Sequence, residues 1–340
     1  MESIGTSSVS NKPGSGSSPC QKLISNFGNV FKKHSSSSRS PNGSLRAPLN
    51  VTATAGRHCP EIHPWKRAVL CGVTYRNRKF RLKGTVNDVK TMRDLLMKHF
   101  GYSQECIRVL TEEEEPAFCP TKKNIQEALK WLVEGSESGD YLVFYFSGHG
   151  LRQPDFNNDE RDGFDETICP VDFMQEGMIL DNDINTTIVR PLKKGVTLHA
   201  IVDACHSGTI LDLEYIYNLK TKKWDDNSAP SRAQKSTSGG LAISLSACED
   251  HQMAADTSYF TGEAMAGAMT YALFQTLERK IVKLTYGGLL DIMHEIVEQV
   301  SSGKCLNSRR LHKLFHRRII QEPLLSSSEA FDVEKKEFIL

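Results

Sequence analysis

The sequence predicts an α/β fold, an α/β/α sandwich of helices on both faces of a mostly parallel sheet, and three observations carry that prediction. From Trp65 onward, short apolar runs of four to seven residues recur, rich in Val, Ile, Leu and aromatics. Between them lie segments whose apolar residues return at helical spacing, the alternation that builds crossover connections. Hydrophobic residues make up 39% of the 340 positions, enough for a sizeable core.

Taken in order, residues 67–73 read as the first strand. Asn87 or Asp88 then caps a helix running to Phe100, with Val89, Met92, Leu96 and Phe100 on one face. Residues 107–110 form the next strand, and Thr121 opens a helix carrying Ile125, Leu129, Leu132 and Val133. Residues 141–146, 197–202 and 241–245 are further strands. Leu289, Ile292, Met293, Ile296 and Val300 make another apolar stripe, and the last strand falls at 331–333 or 337–340. Residues 1–60, rich in Ser, Gly, Pro and Asn, lack the periodicity needed to bury a core and read as a disordered leader. Residues 217–240 hold Lys220, Lys222, Lys223, Asp225, Asp226, Arg232 and Lys235 and read as exposed chain. The organisation expected is therefore a leader (1–60), a larger part (61–217), an exposed linker (218–240) and a smaller part (241–340) completing the same sheet.

A formal charge of +1, with 42 basic against 41 acidic residues, removes the overall electrostatic footprint of a nucleic-acid binder. The longest apolar runs fall far below the roughly 18 residues of a membrane-spanning helix, so no span is expected. Nine cysteines stand without framework spacing or any C-x-x-C pair, and no secretory signal opens the chain. A reducing compartment follows, cytoplasmic with the nucleus also open. The leader has Glu2 as its lone acid before residue 58, against Lys12, Lys22, Lys32, Lys33, Arg39, Arg46 and Arg57. That bias is shared with organelle transit peptides, although a solvated regulatory tail is the reading preferred.

Two loops follow strong buried-strand candidates: Ser147-Gly148-His149-Gly150, and Asp203-Ala204-Cys205-His206-Ser207-Gly208. Both stand at strand C-terminal ends, the edge of a parallel sheet where ligands bind. Cysteine suits acyl transfer because its thiolate is a strong nucleophile, which an imidazole stabilises before protonating the departing amine. Cys205 is the candidate nucleophile. His149 is the candidate acid–base in preference to His206, because sequence neighbours rarely face each other. The backbone N–H groups of Gly150 and Cys205 are candidate oxyanion donors, a device contributing on the order of 3 kcal/mol. A serine hydrolase built on Ser207 is disfavoured, since the Gly-x-Ser-x-Gly elbow is missing.

With these motifs stand Asp162-Gly163-Phe164-Asp165-Glu166-Thr167-Ile168-Cys169-Pro170-Val171-Asp172, Leu211-Asp212-Leu213, Leu82-Lys83-Gly84 with Asn87-Asp88, and Gln321-Glu322-Pro323. Together they resemble a type I metacaspase of the plant kind, over most of residues 68–333. Cys205 follows His149 by 56 positions, close to the spacing of about 50 in caspases. The resemblance implies a caspase-hemoglobinase fold, cleavage of protein or peptide substrates after Arg or Lys, calcium activation, self-cleavage between larger and smaller parts, and a monomer. It places Asp88, Asp203 and Ser147 in the specificity pocket, where two desolvated carboxylates would hold a guanidinium and repel an acid. It also places Ca2+ on Asp165, Asp181, Asn182 and Asp212, within a stretch that further holds Asp155, Asp159, Asp162, Asp172 and Asp183. Two departures are visible. Asn182 stands where the family usually has a second Asp, which costs charge, and Thr85 stands where it commonly has Cys.

Two functions follow from different classes. One is a calcium-activated cysteine endopeptidase in cell-death or stress signalling, processing itself after Lys220, Lys222, Lys223, Arg232 or Lys235. The other is a catalytically weak scaffold acting through protein–protein contacts.

Overall fold

Continuous apolar runs become strands buried on both faces. β1 (Lys66–Gly72), β2 (Ile107–Thr111), β3 (Tyr141–Ser147), β7 (Thr197–Asp203) and β10 (Leu241–Ser246) are the five runs expected, each ending within a residue or so of its predicted bounds. The computed structural model describes residues 64–204, 207–231, 233–246, 256–261, 264–279, 281–301 and 323–340, with backbone only at 256–261, 264–268 and 299–301. The leader lies outside them. All described residues fall in one unit, Ala53–Leu340.

The five strands are mutually parallel and stand in the order β2-β1-β3-β7-β10. Helices cover both faces. α1 (Thr85–Phe100), α5 (Ala268–Glu278) and α6 (Tyr286–Ser301) bury Val89, Met92, Leu96, Leu273, Leu289 and Met293 against Ala68, Leu70, Val143, Tyr145, Ile201 and Ile243. Each such side chain contributes about 1.5–3 kcal/mol by leaving water. α2 (Lys122–Val133) lies against β1 and β3 and buries Ile125, Leu129 and Leu132. Strand alternation gives that face Val69, Cys71, Leu142, Phe144 and Phe146, all fully buried. Thr121 caps α2 as predicted, its hydroxyl accepting the Asn124 N–H at 3.2 Å.

A smaller antiparallel sheet of β4 (Gly150–Pro154), β5 (Phe164–Ile168) and β6 (Ile179–Leu180) follows β3. Short helices α3 (Phe173–Glu176) and α4 (Asp181–Ile184) flank β6, and α4 runs into a π-helical turn at Asn185–Val189. A hairpin of β11 (Asp256–Thr261) and β12 (Ala264–Gly267) precedes α5.

Three expectations are corrected. α1 begins at Thr85 with no side-chain cap, so neither Asn87 nor Asp88 caps it; the Asp88 carboxylate is buried against β3 instead. The last strand is β13 (Leu324–Ser327), antiparallel to β10, while Phe331 and Phe338 pack as plugs on Tyr286. The stretch 218–240 is not simply exposed: β8 (Tyr215–Asn218) and β9 (Lys223–Asp226) form a hairpin that extends the main sheet beyond β13, and Lys235 is buried. Its polar residues misled because an edge hairpin satisfies its backbone with few apolar residues; Tyr217, Leu219 and Trp224 pack on the core, the Tyr217 and Trp224 ring centroids 5.3 Å apart.

Candidate active site

β1, β3 and β7 end level with one another, Gly72 opposite Ser147 and Ser147 opposite Asp203. The segments leaving these ends meet above the sheet. Gly148 admits no side chain, because a Cβ there would stand 2.7 Å from the Phe146 ring, and its N–H reaches the Asp203 carbonyl at 3.4 Å.

His149 follows, only 5% exposed. Its backbone N–H donates to the Tyr75 hydroxyl at 2.9 Å, and that hydroxyl donates to the Cys169 carbonyl at 2.6 Å. The Tyr75 ring lies 4.7 Å from the imidazole, centroid to centroid, and Phe80 lies 5.8 Å from it. His149 Nε2 is 2.7 Å from the Phe80 carbonyl, which can only accept, so Nε2 carries the proton and Nδ1 is left as the basic nitrogen. Tyr75 holds this place with φ at 54°, a left-handed conformation costly for an aromatic residue. Glu112, just past β2, fixes it by accepting the N–H groups of Thr74, Tyr75 and Arg76 at 2.5–2.8 Å.

Cys205 and His206 lie outside the described residues, between buried Ala204 and Ser207. Ser207 is fully buried, its hydroxyl donating to the Ala204 carbonyl at 2.9 Å, which removes it as an exposed nucleophile. The Cys169 N–H donates to the His149 carbonyl at 3.0 Å, so the next pair, Gly150 with Ile168, is non-hydrogen-bonded. The Gly150 N–H therefore points away from β5.

Beside His149, Asp88, Ser147 and Asp203 come together, 1%, 3% and 5% exposed. Ser147 Oγ donates to Asp88 Oδ2 at 2.9 Å. Asp203 Oδ2 accepts from both the backbone N–H (2.9 Å) and the hydroxyl (2.8 Å) of Thr270, at the start of α5. Thr270 also meets the Tyr145 hydroxyl at 2.6 Å. Burial, then the charges of Asp88 and Asp203, push the Tyr145 pKa well up, so it stays neutral.

A second cluster lies on the loops around β5. Asp155, Asp159 and Asp165 bring carboxylate oxygens within 4.8 Å of one another, as do Glu160, Asp181 and Asp212. The expected ligands thus fall in two adjoining groups, Asp181 and Asp212 together and Asp165 in the neighbouring one. Asn182 lies between them: with its amide nitrogen assigned toward the carboxylates, it donates to Asp159 Oδ2 at 3.0 Å and to Asp212 Oδ2 at 3.2 Å. Burial, then repulsion from Asp212, Glu166 and Glu160, raises Asp181 well above the usual carboxylate range; burial and Glu160 do the same to Asp212 against the pull of Lys235. Asp159 Oδ1 and Asp165 Oδ1 are buried without hydrogen-bond partners. All-oxygen donors, crowded charge and orphaned lone pairs fit a hard divalent cation.

A family model, the metacaspase peptidase C14 domain, matches residues 66–214. Metacaspase-1 of Arabidopsis thaliana is 44% identical over 294 residues, covering 83% of this chain and 80% of that protein. The chain belongs to the metacaspase family. Metacaspase-2 of the same plant is 45% identical over 310 residues, covering 83% and 74%. A crystal structure of a Geobacter sulfurreducens protein has a TM-score of 0.54 at 19% identity, covering 81% of this metacaspase and 98% of that chain, a likeness in fold alone. This metacaspase is a caspase-like cysteine peptidase of plant type, acting on peptide or protein substrates.

Sequence reasoning missed Tyr75, Glu112, Thr270 and Glu160 in the metacaspase site. Tyr75 and Glu112 are 74 and 37 positions from the groups they hold, so no local pattern marks them. Positive φ at a non-glycine residue is a property of the fold and leaves no trace in composition.

Proposed function

We propose that this metacaspase is a calcium-activated endopeptidase that cuts after Arg or Lys, in cell-death or stress signalling. The observation that carries the specificity is the pair of buried carboxylates, Asp88 and Asp203, set beside His149 at the strand ends. A guanidinium or ammonium entering there meets two desolvated negative charges, whereas an acidic side chain would add a third.

In this reading the Cys205 thiolate attacks the carbonyl carbon of the residue before the cut. The developing oxyanion is met by the N–H groups of Gly150 and Cys205. His149, held by Phe80 and Tyr75, takes the thiol proton on Nδ1 as the thiolate forms and passes it to the leaving amine; water, deprotonated by the same nitrogen, then releases the acyl group. Asp165, Asp181, Asn182 and Asp212, with Glu160 and Asp159, are the residues to hold Ca2+, which would supply charge that stabilises these loops.

Among the candidate processing positions, Lys220, Lys222 and Lys223 are exposed but belong to a tight hairpin, and Arg232 lies outside the described residues. The test uses purified full chain with Arg- and Lys-terminated fluorogenic peptides. Calcium should switch hydrolysis on, Asp-terminated peptides should stay intact, and Cys205→Ala or His149→Ala should lower the rate by about a thousandfold or more. Calcium-independent turnover, or an active Cys205→Ala variant, would refute the reading.

A further inference from the structure

Lys235 reaches the acidic cluster from a distant part of the chain. Its ammonium, on a side chain only 7% exposed, lies 3.1 Å from Asp212 Oδ1 and 3.3 Å from Asp159 Oδ2, and it also pairs with Glu160. Burial works against its charge, but Asp212 and Glu160 more than offset that and raise its pKa. One ammonium nevertheless faces Asp159, Glu160, Asp212 and the adjoining Asp181, all nearly buried. A compact ammonium has three donors. It therefore leaves Asp159 Oδ1 and Asp165 Oδ1 without partners.

The same oxygens suit a larger charge. Ca2+ takes six to eight oxygens at about 2.3–2.6 Å, so carboxylates within 4.8 Å of one another can share one ion. The Asn182 amide satisfies Asp159 and Asp212 when its nitrogen is assigned toward them, and the opposite orientation of the same group presents its oxygen to a cation. Lys235 is carried on chain held by polar contacts, the Asn185 amide donating to the Lys235 carbonyl at 3.0 Å and Ser238 to the Arg190 carbonyl at 2.7 Å. An open cavity of about 320 Å³, lined by Asp212, Glu214, Gln234, Lys235 and Ser236, gives the side chain a route to solvent.

We propose that Lys235 is a tethered cation occupying part of the divalent-ion site, so that the ion binds by expelling the Lys235 ammonium into solvent. This rests on the calcium reading above and adds its regulation. Two positive charges replace one, the orphaned oxygens gain a partner, and a Lys in the expected processing region becomes accessible only when the ion is bound.

The test uses the full chain carrying Cys205→Ala, which suppresses self-cleavage. Amine acetylation read by mass spectrometry should leave Lys235 protected in chelator and modify it at saturating calcium, with exposed Lys220, Lys222 and Lys223 modified in both. Calorimetry should show calcium binding about tenfold tighter in Lys235→Gln, the factor corresponding to 1.4 kcal/mol of lost competition. Labelling of the native lysine needs no variant, so a poorly folding Lys235→Gln leaves that arm intact. Calcium that binds while Lys235 stays protected, with unchanged or weaker affinity in Lys235→Gln, overturns the tethered cation and spares the calcium reading. No calcium binding to either chain overturns both.

Discussion

Tyr75 does three things with one side chain: it accepts from the His149 N–H, donates to Cys169, and stacks on the imidazole. Tyr75→Phe keeps the ring and strands a buried donor and acceptor. The expected cost is about 1–3 kcal/mol in urea unfolding, with kcat/KM down about tenfold as the imidazole loses its fixed position. Asp203→Asn preserves an oxygen for Thr270 but removes the charge. Peptides ending in Arg should lose about a hundredfold in kcat/KM, the size of a broken buried charge pair, while a neutral residue before the cut should lose far less. Equal losses on both peptides would mean that the Asp203 carboxylate acts by positioning the start of α5 through Thr270 rather than by meeting the substrate's charge. The placement of Asp203, Ser147 and His149 at one sheet edge was legible because motif and strand end coincide in the chain. Thr270 was not, since its link to Asp203 spans 67 positions.

At the scale of elements, the approach of β1 to α1 depends on Gly72. A Cβ there would stand 2.7 Å from the Thr85 carbonyl oxygen and 2.8 Å from a Val89 methyl, neither of which can move without shifting the helix that carries Asp88. Gly72→Ala is expected to cost about 1–3 kcal/mol by overpacking, seen as an earlier urea midpoint. The parallel strands and α2 were legible because burial on both faces leaves unbroken apolar runs, and because Thr121 both starts the helix and caps it. β13 was not: Leu324–Ser327 is half serine, and it qualifies as a strand only because β10 and β8 stand on either side of it. The start of α1 was misplaced because Asp88 carries the residue type of a cap while its carboxylate meets Ser147 across the layer.

Across the whole molecule, His199 on β7 links the centre of the sheet to α6 and the C-terminal segment. It is fully buried, 2.5 Å from the Tyr286 hydroxyl, with Phe338 edge-on at 5.8 Å, and burial, then Lys336, lowers its pKa to about 3. An unfolded chain protonates this imidazole near its ordinary value of about 6.5, so between the two values the unfolded state binds more protons. Stability from neutral His199 is thus complete above about pH 6.5 and is lost as pH falls toward 3, a loss of about 2 kcal/mol by pH 5. Urea titrations at pH 5 and 7 should show this difference, and His199→Gln should flatten it. Charge at this scale behaves differently in the acidic cluster, where carboxylates from four stretches of chain crowd together and Lys235 is drawn in from beyond the β8–β9 hairpin.

The sequence by itself determined the layered α/β architecture, the family, and the residue types that stand at the sheet's C-terminal edge, because strands buried on both faces and short loops after them are encoded by neighbours in the chain. Only the tertiary structure decided that Tyr75 and Glu112 hold His149, that Thr270 holds Asp203, and that Lys235 lies among the carboxylates. Those contacts join groups 23 to 76 positions apart, and a buried polar atom takes whichever partner the packed fold brings within hydrogen-bond reach.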